Sequence, residues 1–125
     1  MDVSPLTPAG RQMIEAYGDG GFRIAGTAYH GSVLVMPERT LPWSTASCDG
    51  LSFTSFAELV PFAATIDVLL LGCGRRVLFV PPALRAELRA AGMVLEAMDT
   101  GAACRTYNVL AAEDRRVAAA LIAVE

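Results

Sequence analysis

Two small-residue turns hold the residue types best suited to chemistry. Gly72-Cys73-Gly74 follows an apolar run, and Asp99-Thr100-Gly101 follows a second one. Glycine-bearing turns let a ligand approach the backbone, and successive amides can hold an anion. The second turn also opens a helical pattern, and a helix N-terminus favours negative charge. Arg105, Thr106, Asn108 and Glu113 lie further along that pattern and could add polar groups to a pocket. The same residues have a plainer account. Glycines close tight turns, Asp99 repels an anion, and Arg105 can pair with Asp99 or Glu113. Thr106 and Asn108 can tie the helix to neighbouring backbone.

Thiol chemistry has two candidates. Cys104 near a helix start and Cys73 among amides are places where a thiol pKa can fall. A nucleophile also needs a base, and the single histidine, His30, sits in a distant segment. The expectation is therefore buried, inert thiols and no catalytic residue. Asp67, inside an apolar run, is the oddest acid, expected to bond backbone near a strand start, with an acid/base role as the alternative. Cys48, Cys73 and Cys104 are widely spaced and form no CxxC pair. No metal site, cofactor or disulfide framework follows, and the pattern suits a reducing compartment. All ten basic residues are arginine, which removes Schiff-base and P-loop lysines.

These turns need a scaffold, and the chain is long enough for one. Its 125 residues, 54% hydrophobic and 18% charged, indicate a single folded domain with a real core. A net charge of −3 argues against a broad grip on nucleic acid. The N-terminus lacks the pattern of a signal peptide, and no apolar run approaches the roughly 20 residues of a membrane span. The expectation is a cytoplasmic protein, with a flexible lead-in over 1–10 and one domain over 11–125.

Along the chain, Gln12 to Tyr17 reads as a strand, Gly18-Asp19-Gly20-Gly21 as a turn, and Phe22 to Tyr29 as a half-buried strand. With Val33–Met36, the first 36 residues read as an antiparallel meander. Residues 37–52 are looser, and Trp43 is expected to anchor them to the core. Phe53 to Phe62 suggests a short helix capped by Thr54 or Ser55, with Phe56, Leu59 and Val60 inward. Ile66 to Leu71 resembles a strand covered on both faces. Pro82 starts a helix with Leu84, Leu88 and Ala91 on one side, ended by Gly92. Val94 to Met98 is a strand, and Asp99 or Thr100 caps a helix reaching Ala112. Arg116 to Val124 fits helix by spacing and strand by alternation.

LLLGCG after a strand, then MDTGAACRTYNVLAAEDRRVAAALI, resembles the Mth938-like domain family. AYGDGGFRIAG, GSVLV and Trp43 fit as well, so the resemblance covers residues 11–123. Its most specific stretch holds Thr100, Ala103, Arg105, Thr106, Tyr107, Asn108 and Leu110. The resemblance implies an α/β fold of three layers with a central mixed β-sheet, an N-terminal antiparallel meander followed by βαβαβ. It also implies that Arg116 to Ala123 is a strand. Glu113-Asp114-Arg115 stands where relatives often carry glycine, and aspartate tolerates the left-handed geometry a turn there requires. Mitochondrial relatives are implicated in assembling respiratory complex I as non-catalytic factors. The resemblance thus implies a protein partner and supplies no catalytic residues. The alternative is a small-molecule or anion-binding protein, an enzyme included, using the two turns. A self-associating structural domain is the third expectation.

Overall fold

The computed structural model describes residues 11–125; the expected lead-in over 1–10 lies outside the described residues. Three short strands, β1 (Ile14–Gly18), β2 (Gly21–Ile24) and β3 (Thr27–His30), form an antiparallel sheet in the order β1-β2-β3. The expected strand from Phe22 to Tyr29 is folded back on itself at Ala25-Gly26, giving β2 and β3. β4 (Val33–Val35) leaves this sheet and joins a second one. The meander therefore closes after β3. Val33, Val35 and Leu34 are fully buried, and only a sheet covered on both faces can bury both sides of one strand.

That second sheet has five strands in the order β5-β4-β8-β6-β7. β5 (Thr40–Pro42) lies within the stretch read as loose. β6 (Val68–Gly72), β7 (Leu95–Met98) and β8 (Val117–Leu121) are parallel to one another, while β4 runs antiparallel to both β5 and β8. Two helices, α1 (Pro82–Ala90) and α2 (Thr100–Ala112), complete β6-α1-β7-α2-β8, the expected βαβαβ series. The last segment is a strand, as the resemblance implied. Its alanines suit a central strand because β8 sits between β4 and β6 with layers packed on both faces.

The sheet divides the interior into two cores, since successive side chains of a strand face opposite ways. On one face, Leu69, Leu71, Ala118 and Ala120 pack against Leu84 and Leu88 of α1, with Trp43, Phe56 and Leu59. On the other, Leu70, Val117, Ala119 and Leu121 meet Ala103, Cys104, Tyr107 and Ala111 of α2, and Ile14, Phe22 and Ile24 of the small sheet. The fold is thus a three-layer α/β arrangement around a central mixed β-sheet.

Phe53–Thr65 is helical, but as a 3-10 helix that continues past Pro61. Proline removes one N–H from any i→i−4 ladder. The N-cap is Ser52 and not the expected Thr54 or Ser55, which lie inside the helix; the Ser52 N–H donates to Ser55 Oγ at 3.2 Å. Phe56 and Leu59 point inward as expected, whereas Val60 is 38% exposed. Trp43 anchors its loop: it is buried, its indole Nε1 donates to Ser55 O at 2.7 Å, and its ring lies 5.6 Å from that of Phe56. At the α2–β8 turn Asp114 takes φ 60°, the left-handed geometry that aspartate was expected to accommodate.

Candidate functional site

β6 and β7 run parallel and in register, with Gly72 opposite Met98, so the two turns emerge side by side at one sheet edge. The Cys73 amide donates to Met98 O at 2.8 Å, and the Thr100 amide donates to Gly74 O at 2.8 Å. The Thr100 hydroxyl then closes the junction. It accepts from the Gly74 amide at 2.9 Å and donates to Ile122 O at 2.7 Å, just beyond β8. Thr100 is fully buried, and a Cβ built on Gly72 would lie 3.0 Å from Thr100 Cα and 2.9 Å from Leu121 Cδ2. Gly72 is glycine because three elements meet there. The Gly74 amide already has its acceptor inside the protein.

Asp99 caps α2 through a bond from the Ala102 amide to its carboxylate at 2.8 Å. Tyr17 of β1 reaches over the first turn, where a Cβ on Gly101 would come within 2.5 Å of its hydroxyl oxygen. The hollow left outside is lined by Tyr17, Gly74, Arg75, Asp99, Gly101 and the chain's end at Val124-Glu125.

Arg105, Thr106 and Asn108 sit further along α2. Arg105 is exposed and takes part in neither of the ion pairs among the described residues, Arg11–Asp114 and Arg116–Asp67. It lies beside Tyr17 and Asn108 in a separate shallow groove. Asn108 ties α2 to β1, accepting from the Ile14 amide at 2.9 Å and donating to Ile14 O at 2.8 Å. Thr106 is half-buried. The structure therefore joins Gly72, Cys73, Gly74, Asp99 and Thr100 at one edge and places Arg105, Thr106 and Asn108 along the flank of α2.

Asp67 is not buried. It precedes β6, is exposed, and holds Arg116 through two bonds of 2.6 and 3.2 Å. The Arg116 guanidinium keeps its carboxyl below the usual range. The apolar run places its neighbours in the core but leaves this residue at the strand's outer end.

The open cavity at this edge is reached from the other face. Cys73, one residue beyond Gly72, lines a cleft of about 390 Å³ with Cys48, Leu71, Leu78 and Phe79. Cys48 comes from the loop between β5 and the 3-10 helix, and no sequence spacing linked it to Cys73. The neighbouring Cys48 thiol brings the Cys73 pKa down to about 6. Burial opposes this, the backbone amides of Leu78 and Met98 add to it, and Asp99 acts against it. Cys48 itself is pushed up, first by the neighbouring Cys73 thiol and then by burial. Cys104 differs: burial pushes it up to about 12, the inert thiol the sequence led one to expect. Near the cleft the segment between β6 and α1 turns its apolar side chains outward, with Val77 55%, Leu78 41% and Phe79 84% exposed. His30 is an exposed strand residue.

No helix among the described residues is long and apolar enough to cross a membrane, and no group of three or more His, Cys, Asp or Glu there could hold a metal ion. An uncharacterised protein of Rhodobacter capsulatus is 41% identical over 122 residues, covering 96% of this chain and 93% of that protein. NADH dehydrogenase [ubiquinone] 1 alpha subcomplex assembly factor 3 of Danio rerio is 36% identical over 110 residues, 88% of this chain. The match spans 63% of that relative's length. A solution structure of a Bordetella pertussis protein described as a Mth938-like domain superposes with a TM-score of 0.83 at 28% identity, covering 98% of this chain and 92% of that one. A family described as a protein of unknown function (DUF498/DUF598) matches residues 14–122, and with the paired turns, the central mixed sheet and these relatives, the chain belongs to that family of Mth938-like domains.

Proposed function

We propose that this chain is a non-catalytic protein-interaction domain, acting as an assembly factor for a partner protein. The observation that carries this reading is the outward-facing Val77-Leu78-Phe79 segment. A phenylalanine left 84% exposed beside two further exposed apolar residues has no role in the chain's own packing. Arg75 and Arg76 flank it, so the complementary surface is apolar with an acidic rim. The Danio rerio relative, named as an assembly factor, points the same way. A cytoplasmic setting fits the free cysteines.

A photo-crosslinking residue placed at Phe79, with tagged chain recovered from its own cell extract, tests the reading. A defined partner should be captured at Phe79, and the yield should fall in Val77→Ser. A crosslinked band that contains only a second copy of this chain would instead establish the self-associating reading. Recovery of the uncrosslinked chain alone would remove the assembly role.

One observation favours a second reading, a small-molecule site. The Cys73 cleft, at about 390 Å³, lies within the roughly 300–1,000 Å³ of ordinary ligand pockets. A thermal-shift screen with small anions and apolar metabolites checks it; a uniform absence of shifts would dispose of it.

A further inference from the structure

We propose that Cys48 and Cys73 form a redox-active dithiol that is oxidised by low-molecular-weight disulfides to an internal Cys48–Cys73 disulfide. Both residues line one open cleft, near enough that each thiol shifts the other's pKa. They come from elements of unequal rigidity. Cys73 sits at the end of a buried central strand, pinned by the hydrogen bond its amide N–H donates to Met98 O. Cys48 sits half-exposed on a stretch with no helix or strand, between β5 and the 3-10 helix. A disulfide requires Cα atoms about 4.4–6.8 Å apart, and a loop-borne partner can adjust to that requirement where two strand residues could not.

The polarity of the pair assigns the roles. Cys73 is the more acidic thiol, lowered by the neighbouring Cys48 and by the backbone of Leu78 and Met98, whereas Cys48 is raised by Cys73 and by burial. The charged groups facing the pair are the carboxylates of Asp49, near Cys48, and Asp99, near Cys73, and both disfavour a second negative charge. Cys73 is the attacking sulfur and Cys48 the resolving one. The Cys73 thiolate attacks one sulfur of RS–SR, forming Cys73–S–S–R and releasing RS⁻. Cys48 then loses its proton to the released thiolate, and its sulfur attacks the Cys73 sulfur and expels the second RS⁻. One external disulfide is consumed, two RS groups leave with one proton between them, and one internal disulfide remains. The apolar lip formed by Leu78, Phe79 and Pro81 borders this approach. This inference is independent of the partner reading, because it needs only the cleft and its two sulfurs.

The test uses the whole chain and oxidised glutathione. After reaction, remaining thiols are alkylated under denaturing conditions and the chain is digested and mapped by mass. The expected product is a Cys48–Cys73 crosslinked peptide, with Cys104 free. C48S should stop at a glutathione adduct on Cys73, and C73S should leave Cys48 unmodified over the same time. The initial rate of Cys73 alkylation in the native chain should be half-maximal near pH 6. Separate adducts on Cys48 and Cys73 with no bond between them, a bond involving Cys104, or a native chain that does not react would overturn the proposal. The map of the unsubstituted chain decides this even if C73S fails to fold.

Discussion

Gly72 and Cys73 are neighbours in sequence at the end of β6, yet they belong to opposite worlds. Gly72 is enclosed with Thr100 and Leu121, where each polar group has a partner and no room remains for one more methyl group. Cys73 turns to the other face of the sheet and opens on a cleft shared with Cys48 and the exposed segment before α1. A strand's alternation separates the two environments by a single residue. The lesson is that a turn can be structural on one side and chemically available on the other, so a motif such as Gly-Cys-Gly has to be read face by face.

Thr100→Val is expected to have the largest effect. It keeps the shape but strands the Gly74 amide and Ile122 carbonyl in a buried place, at about 1–3 kcal/mol for each group, so roughly 3 kcal/mol in all. Chemical denaturation measures it, and a loss below about 0.5 kcal/mol would mean that water already serves this junction. Gly72→Ala comes next. Its Cβ meets backbone and a buried leucine, and overpacking of this kind costs about 1–3 kcal/mol. If Gly72→Ala proves neutral, the two sides of the turn are less different than the geometry implies.

Asp99→Ala should destabilise by about 1 kcal/mol, the usual loss for a helix N-cap, seen as a shifted denaturant midpoint with an unchanged slope. Phe79→Ser should change stability least, within about 0.5 kcal/mol, while weakening capture of the partner. A large stability loss at Phe79 would show that the open side supports the fold after all. The pH dependence sharpens the same contrast. A thiol whose folded pKa is lowered, as at Cys73, contributes stability that is present above its unfolded value near 9 and disappears as pH falls through about 6. Cys104, raised by burial to about 12, contributes stability that is present below its unfolded value and disappears as pH rises through about 12. Alkylation kinetics on the native chain should separate them, with Cys73 reacting near neutrality and Cys104 protected.

Local pattern was enough for much of the scaffold. The Pro82 helix start and the Asp99 cap follow from chain-local physics and are found where they were expected, and the strand read over Ile66 to Leu71 is found at Val68–Gly72. Val117–Leu121 was the hard case, because an alanine-rich segment satisfies helical spacing until neighbouring strands claim both its edges. β5 was missed since three residues carry too little periodicity to detect. Asp67 misled in the opposite way: an apolar context suggested burial, but the strand begins one residue later.

What the sequence determined by itself was the kind of layer each segment would enter, because hydrophobic alternation, caps and turn residues act over a few residues. What only the tertiary structure decided was which groups share a space. The meeting of Cys48 with Cys73, and of Thr100 with Gly74 and Ile122, spans long stretches of chain. Such encounters are set by the order and register of strands in the sheet, and no local spacing encodes them.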